Sequence, residues 1–153
     1  MKFLFRFHVA VYLLPLAFLA PASLAWCSLG DNSISIQSDQ LQMHGTVRVV
    51  TTGRYSMHEI RTPSGGTIRE YVSPGGTVFA VGWDGPGVPD LKQILGSYFD
   101  TMKQTAAQRR GHGPLVIDTP EFYFVQSGHM RSFHGTARLP QQLPQGVSAA
   151  DIK

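Results

Sequence analysis

Between Tyr55 and Trp83, short apolar-rich runs alternate with breaks made of glycine, proline and serine. Pro63-Ser64-Gly65-Gly66 and Ser73-Pro74-Gly75-Gly76 separate YSMHEIRT (55–62), TIREYV (67–72) and TVFAVGW (77–83). Runs of this length, rich in β-branched and aromatic residues and divided by turn formers, predict a three-strand antiparallel meander. The third run is apolar at successive positions from Val78 to Val81, so it reads as a central strand covered on both faces.

Charge fixes the register of the first hairpin. A two-residue loop at Ser64-Gly65 would set Glu59 opposite Glu70, and like charges directly opposite are destabilising. A three-residue loop, Pro63 to Gly65, sets Glu59 opposite Arg69, His58 opposite Glu70, Met57 opposite Tyr71 and Ile60 opposite Ile68. All four pairs are compatible, and that register is expected.

Beyond Pro89 the period changes. Leu91, Ile94, Leu95, Tyr98, Phe99 and Met102 fall on one face of a helix over 90–104, and Lys92, Gln93, Ser97, Asp100 and Lys103 on the other. Asp90 with Gln93 three residues on has the form of a capping box. Gly96 is the weak point of the helix. Residues 104–114 read as a mobile loop. Leu115–Asp118, Glu121–Ser127 and Met130–Leu139 are the last strand candidates, with a turn at Gly128-His129. Thr46–Thr51 is β-branched enough to be extended, whereas 30–43 fits a loosely held helix or an extended linker equally well.

These elements predict an α+β fold: a curved antiparallel sheet of about five strands (a three-strand meander, the helix, two further strands) with one amphipathic helix packed on one face. The expected organisation is a signal peptide over 1–25, a weakly structured segment over 26–54, a single α+β domain over 55–139, and an exposed C-terminal tail over 140–153, rich in proline and glutamine.

The leader reading rests on Lys2 and Arg6, an apolar run from Val9 to Ala20 broken by Pro15, and Ser23 and Ala25 as the small residues before a cut after Ala25. The expected location is the periplasm or the outside of the cell. Membrane attachment would follow only from an uncleaved leader or from lipidation at Cys27. Leu24-Ala25-Trp26-Cys27 has the outline of a lipobox, but Trp26 stands where a small residue is wanted.

Composition narrows the function classes. The chain of 153 residues is 42% hydrophobic and 15% charged, enough for a core. Without Lys2 and Arg6 the basic count falls from 13 to 11, against 10 acidic residues, so no electrostatic footprint for nucleic acid remains. One cysteine excludes an internal disulfide framework and a CxxC metal knuckle.

The stretch YSMHEIRTPSGGTIREYVSPGGTVFAVGWDGPGVPDLKQILGSYF (55–99) resembles a family of proteins exported by proteobacteria, domain-of-unknown-function family 2844. GHMRSFHGTARLP (128–140) and LPQGVSAADI (143–152) are similar to that family's end. The resemblance implies an exported bacterial protein and transfers no activity, cofactor or catalytic residue.

Candidate chemistry is sparse. His58-Glu59 opens like HExxH, but Arg61 and Thr62 follow, and a strand would set the two side chains on opposite faces. No metal set and no cofactor are expected. His58 opposite Glu70 is the one expected acid–base pair, and a neighbouring carboxylate would raise the histidine's pKa. Ser56, Ser64 and Ser73 lack the GxSxG setting of a nucleophile elbow. Gly82, Gly85 and Gly87 are interrupted by prolines and do not make a phosphate loop. Arg109 and Arg110, beside His112, form a small basic cluster, and with Gly85 and Gly87 they are the candidate binding positions. The aromatic set Phe122, Tyr123, Phe124, Phe133 and Trp83 reads as core.

Three functions remain in view. The first is a non-catalytic envelope module that binds or scaffolds another envelope protein or a glycan. It would use the sheet face away from the helix and the 85–89 loop. The second is a small hydrolase or isomerase using His58 and Glu70. The third is an assembly subunit anchored through Cys27.

Overall fold

The computed structural model describes residues 29–32, 41, 43–111 and 113–153. Seven strands form one open antiparallel sheet: β1 (Thr46–Thr51), β2 (Ser56–Arg61), β3 (Thr67–Val72), β4 (Val78–Gly85), β5 (Leu115–Asp118), β6 (Tyr123–His129) and β7 (Ser132–Arg138). Their order is β1-β2-β3-β4-β7-β6-β5. The chain runs as a four-strand meander to β4, crosses by a helical segment to the far edge at β5, and returns through β6 and β7 to zip against β4. The α+β class holds, with seven strands rather than about five. β1 lies within the segment expected to be weakly structured, and after the helix all three strand candidates form, as β5, β6 and β7, where the count of about five allowed two.

The β2–β3 register is the one the charges demand. Glu59 faces Arg69, His58 faces Glu70, Met57 faces Tyr71 and Ile60 faces Ile68. Thr62 N–H donates to the Gly66 carbonyl at 2.9 Å, closing the loop, and Gly65 takes φ +86 within it. The central-strand reading also holds: β4 is the fourth of seven, and Val78 to Trp83 are all buried. A bulge between Tyr71 and Val72 shifts the pairing, so that Tyr71 faces Ala80 and Val72 faces Val78. That extra residue adds Phe79 to the layer that holds Tyr71 and Ala80.

The helical segment runs from Leu91 to Gln108 in two pieces, α1 (Leu91–Leu95) and α2 (Phe99–Gln108), joined by a 3-10 turn over Gly96–Tyr98. Asp90 caps α1, its carboxylate accepting from Lys92 N at 2.9 Å and Gln93 N at 3.2 Å. Gly96 takes φ +53, ψ −123, which interrupts the α-helix. All six residues of the apolar stripe reach the core beside Ile60, Ile68, Trp83, Phe124 and Ile117. Gln93, expected on the wet face, is buried.

The sheet's other face corrects the expectation for the end of the chain. Residues 140–153 do not hang free. Ile152 is 7% exposed against Tyr71, Phe79 and Ala80, with Leu143 and Val147 packed at the margin. A capping box between Ser148 and Asp151 orders the 3-10 turn Ala149–Asp151, and Arg54 donates to the Gly146 carbonyl at 2.9 Å. The tail composition is polar, but three apolar side chains spaced four and five apart suffice to lay it on an aromatic floor.

The expected looseness before β1 is also corrected at Leu29, which is 1% exposed. Gly30 N–H donates to the Val78 carbonyl, and Val78 N–H to the Asp31 carbonyl, tying 29–32 to the start of β4. The leader, Cys27, Ser33 and His112 lie outside the described residues.

Candidate functional site

Pleating sorts the side chains of each cross-sheet row onto one face. The row Val49, His58, Glu70, Val81, Ala137, Phe124, Ile117 lies on the helix side. The sequence-predicted pair is therefore brought together, but within the covered layer. Glu70 is 1% exposed and His58 is half-buried. Burial lowers the His58 pKa from its ordinary 6.5, the opposite of the rise expected from a carboxylate neighbour. Neither residue lines the three cavities described below.

The opposite face carries polar rows. Arg61, Glu59, Arg69 and Asp84 form a chain of ion pairs across β2, β3 and β4. Arg61 meets Glu59 at 2.9 Å, Arg69 Nε reaches Glu59 at 3.5 Å, and Arg69 Nη1 pairs with Asp84 Oδ1. In the row of Arg61, Asp84, His134 and Ser127 stand in register across β4, β7 and β6. The Ser127 Oγ and His134 Nε2 are 2.6 Å apart.

That arrangement was not legible in the sequence. Gly128-His129 reads as a turn, which would set Ser127 opposite Met130. The hairpin instead turns at Met130-Arg131, with His129 facing Ser132 and Arg131 at φ +66. Gly128 serves close approach: a Cβ there would stand 2.7 Å from Phe133 Cα. The shift of the turn by two residues brings Ser127 opposite His134.

Residues of both polar rows line a concavity of about 530 Å³ on the open half of this face, including Arg69, Asp84, Ser127, His134, Thr136 and Lys153. Lys153 reaches it because Gly82 has no side chain; a Cβ there would collide with the Lys153 carbonyl. A smaller cavity of about 130 Å³ lies under the 85–89 loop, with Gly87, Pro86 and Ser64 in its wall. Gly85 itself packs against the first hairpin turn, where a Cβ would come 2.7 Å from Gly66 Cα. A third cavity, also about 530 Å³, includes Arg109, Met102, Gln126 and Phe133.

The remaining candidates scatter. Arg109 donates to the Gly113 carbonyl and closes its own loop, and Arg110 is exposed. Phe122, Phe124 and Trp83 are core residues, and Arg138 lies 3.4 Å over the Tyr123 ring. Among the described residues, no group of three or more His, Cys, Asp or Glu comes together as a metal ion would require. None of the described helices is long and apolar enough to cross a membrane.

No curated protein and no solved structure matches the chain. The family model described as a protein of unknown function (DUF2844) matches residues 25–152, almost all of the chain after the leader-like segment, and the chain belongs to that family.

Proposed function

We propose that the protein is an exported envelope binding module whose ligand occupies the concave half of the sheet face away from the helix. The observation that carries this reading is the shape of that face. A flat, solvated sheet would offer no site, but here Lys153, at the end of the docked segment, and residues of β3, β4, β7 and β6 line an open concavity of about 530 Å³. Its wall is mostly apolar, with Trp83 and Val125 in it, and carries the hydrogen-bonding groups of Asp84, Ser127, His134 and Thr136, which suits a small molecule with both an apolar body and a polar group. Export rests on the leader-like first 25 residues.

The test is a titration of ¹⁵N-labelled protein with a panel of small sugars, amides and esters. Shifts confined to residues 125–127 and 134–136, and abolished by the cavity-filling Thr136→Trp, support the site. Shifts that cluster elsewhere, or that survive Thr136→Trp, overturn it. For export, the intact mass of protein recovered from the envelope should correspond to a chain beginning at Trp26.

A further inference from the structure

We propose that Ser127 is a nucleophile, that His134 is its general base, and that the open-face cavity takes a small carboxylic ester and hydrolyses it. The inference rests on the proposed binding site being accessible to a ligand and goes beyond it by giving that site a reaction.

Four observations converge. The Ser127 Oγ–His134 Nε2 separation is 2.6 Å, within the range in which a serine hydroxyl passes its proton to an imidazole. Both residues sit on the ladder between two long adjacent strands rather than on a loop, so their spacing is set by the β6–β7 register. Asp84 faces His134 across the β4–β7 ladder, which places a carboxylate-bearing residue beside the base in the same row. Its Oδ1 pairs with Arg69, so its assigned part is to set the charge around the row rather than to touch the reacting atoms. Finally, Asp84, His134 and Ser127 all line the same cavity, with Val125 and Thr136 beside them.

With its proton on Nδ1, the neutral imidazole accepts the Ser127 O–H at Nε2. Oγ attacks the ester carbonyl carbon as Nε2 takes the proton, and a tetrahedral oxyanion forms. Collapse breaks the bond to the alkoxy group, which leaves as the alcohol with the proton from Nε2. Water then adds to the acyl-serine, gives a proton to Nε2, and releases the carboxylic acid as the proton returns to Oγ. One ester and one water become one acid and one alcohol, with no other reactant. General-base assistance of this kind contributes about 10²–10⁴-fold.

A fluorophosphonate probe on the full-length protein tests the nucleophile, with the labelled peptide located by mass spectrometry. The expected result is label on Ser127, absent in Ser127→Ala and slowed about 10²-fold or more in His134→Gln. Asp84→Asn should slow labelling less than His134→Gln does. Ser127→Cys should accept the acetyl group of p-nitrophenyl acetate, which Ser127→Ala does not. Wild type that stays unlabelled, or carries label only elsewhere, overturns the nucleophile. If ligand shifts persist in unlabelled wild type, the binding site stands and only the reaction falls. If neither labelling nor shifts occur, both readings fall.

Discussion

The Tyr71 hydroxyl and the Lys153 backbone hold each other in both directions. Lys153 N–H donates to Tyr71 Oη at 3.0 Å, and the phenol O–H donates to the Lys153 carbonyl at 3.1 Å. Eighty-two residues apart in sequence, the two anchor the end of the docked segment to the middle of the sheet.

Tyr71→Phe keeps the ring against Tyr55 and Phe79 and removes only this clasp. The expected loss is about 1 kcal/mol in urea unfolding, because the exposed Lys153 backbone can turn to water. Hydrogen exchange should quicken first at residues 147–153. Burial raises the Tyr71 pKa above its ordinary 10.0. The unfolded phenol therefore ionises first as pH rises, and the contribution of the neutral form, full below pH 10, is lost as pH climbs through the folded value. Tyr71→Phe should lack this alkaline decline; an unchanged profile would show that the clasp is not its source.

Gly82→Ala tests the docking from the other side. A methyl at Gly82 meets the Lys153 carbonyl, whereas a methyl at Gly87 meets nothing within 4 Å. Limited proteolysis should cut Gly82→Ala after residue 140 faster than wild type, with Gly87→Ala unaffected. Equal cleavage of all three proteins would mean that Gly82 is not what admits the segment.

Gly135→Ala addresses the seam between the two halves of the sheet. Its Cβ would lie inside contact distance of the Trp83 indole, which packs on Phe124 at 5.7 Å between ring centroids. Overpacking a filled layer costs about 1–3 kcal/mol. Thermal unfolding with tryptophan fluorescence should report both the lower midpoint and a shifted native spectrum.

His58 gives an acid-side signature. Burial lowers its folded pKa below 6.5, so the unfolded state takes up the proton first as pH falls. The stabilising contribution is full above pH 6.5 and is lost as pH drops through the folded value. Urea midpoints between pH 7.5 and 5 should fall for wild type and less steeply for His58→Leu. Parallel curves would assign the acid sensitivity to another group.

What could be read from the sequence was what neighbours in the chain decide. Glu59, Arg69 and Glu70 lie close enough that one pairing is tolerable and the other is not, so the hairpin register followed from charge. Asp90 and the stripe from Leu91 to Met102 likewise carry the helix within one short window, although Gly96 breaks it. The docking of Leu143, Val147 and Ile152 depends on a floor of Tyr71, Phe79 and Ala80 that lies far earlier in the chain, and three isolated apolar residues carry no period. The Ser127–His134 contact escaped for a different reason: a glycine that normally announces a turn is spent on close approach at Phe133.

The crossover from the centre of the sheet to its far edge also governs the order of assembly. The strands of each meander close over a few residues, but the β4–β7 ladder joins positions about 50 residues apart. That seam must therefore wait for the helical segment and the second meander, and long-range closures of this kind are the slow ones. In refolding, protection against exchange should come last for those β4 and β7 amides that bond to each other across this seam. The aromatic floor of Tyr71, Phe79 and Ala80 belongs to the first meander, but the 140–153 segment follows β7 directly and reaches that floor only once β7 has joined β4. The pair Asp84–His134 belongs to the same seam, so the proposed reactive row comes into existence only with the final closure of the sheet.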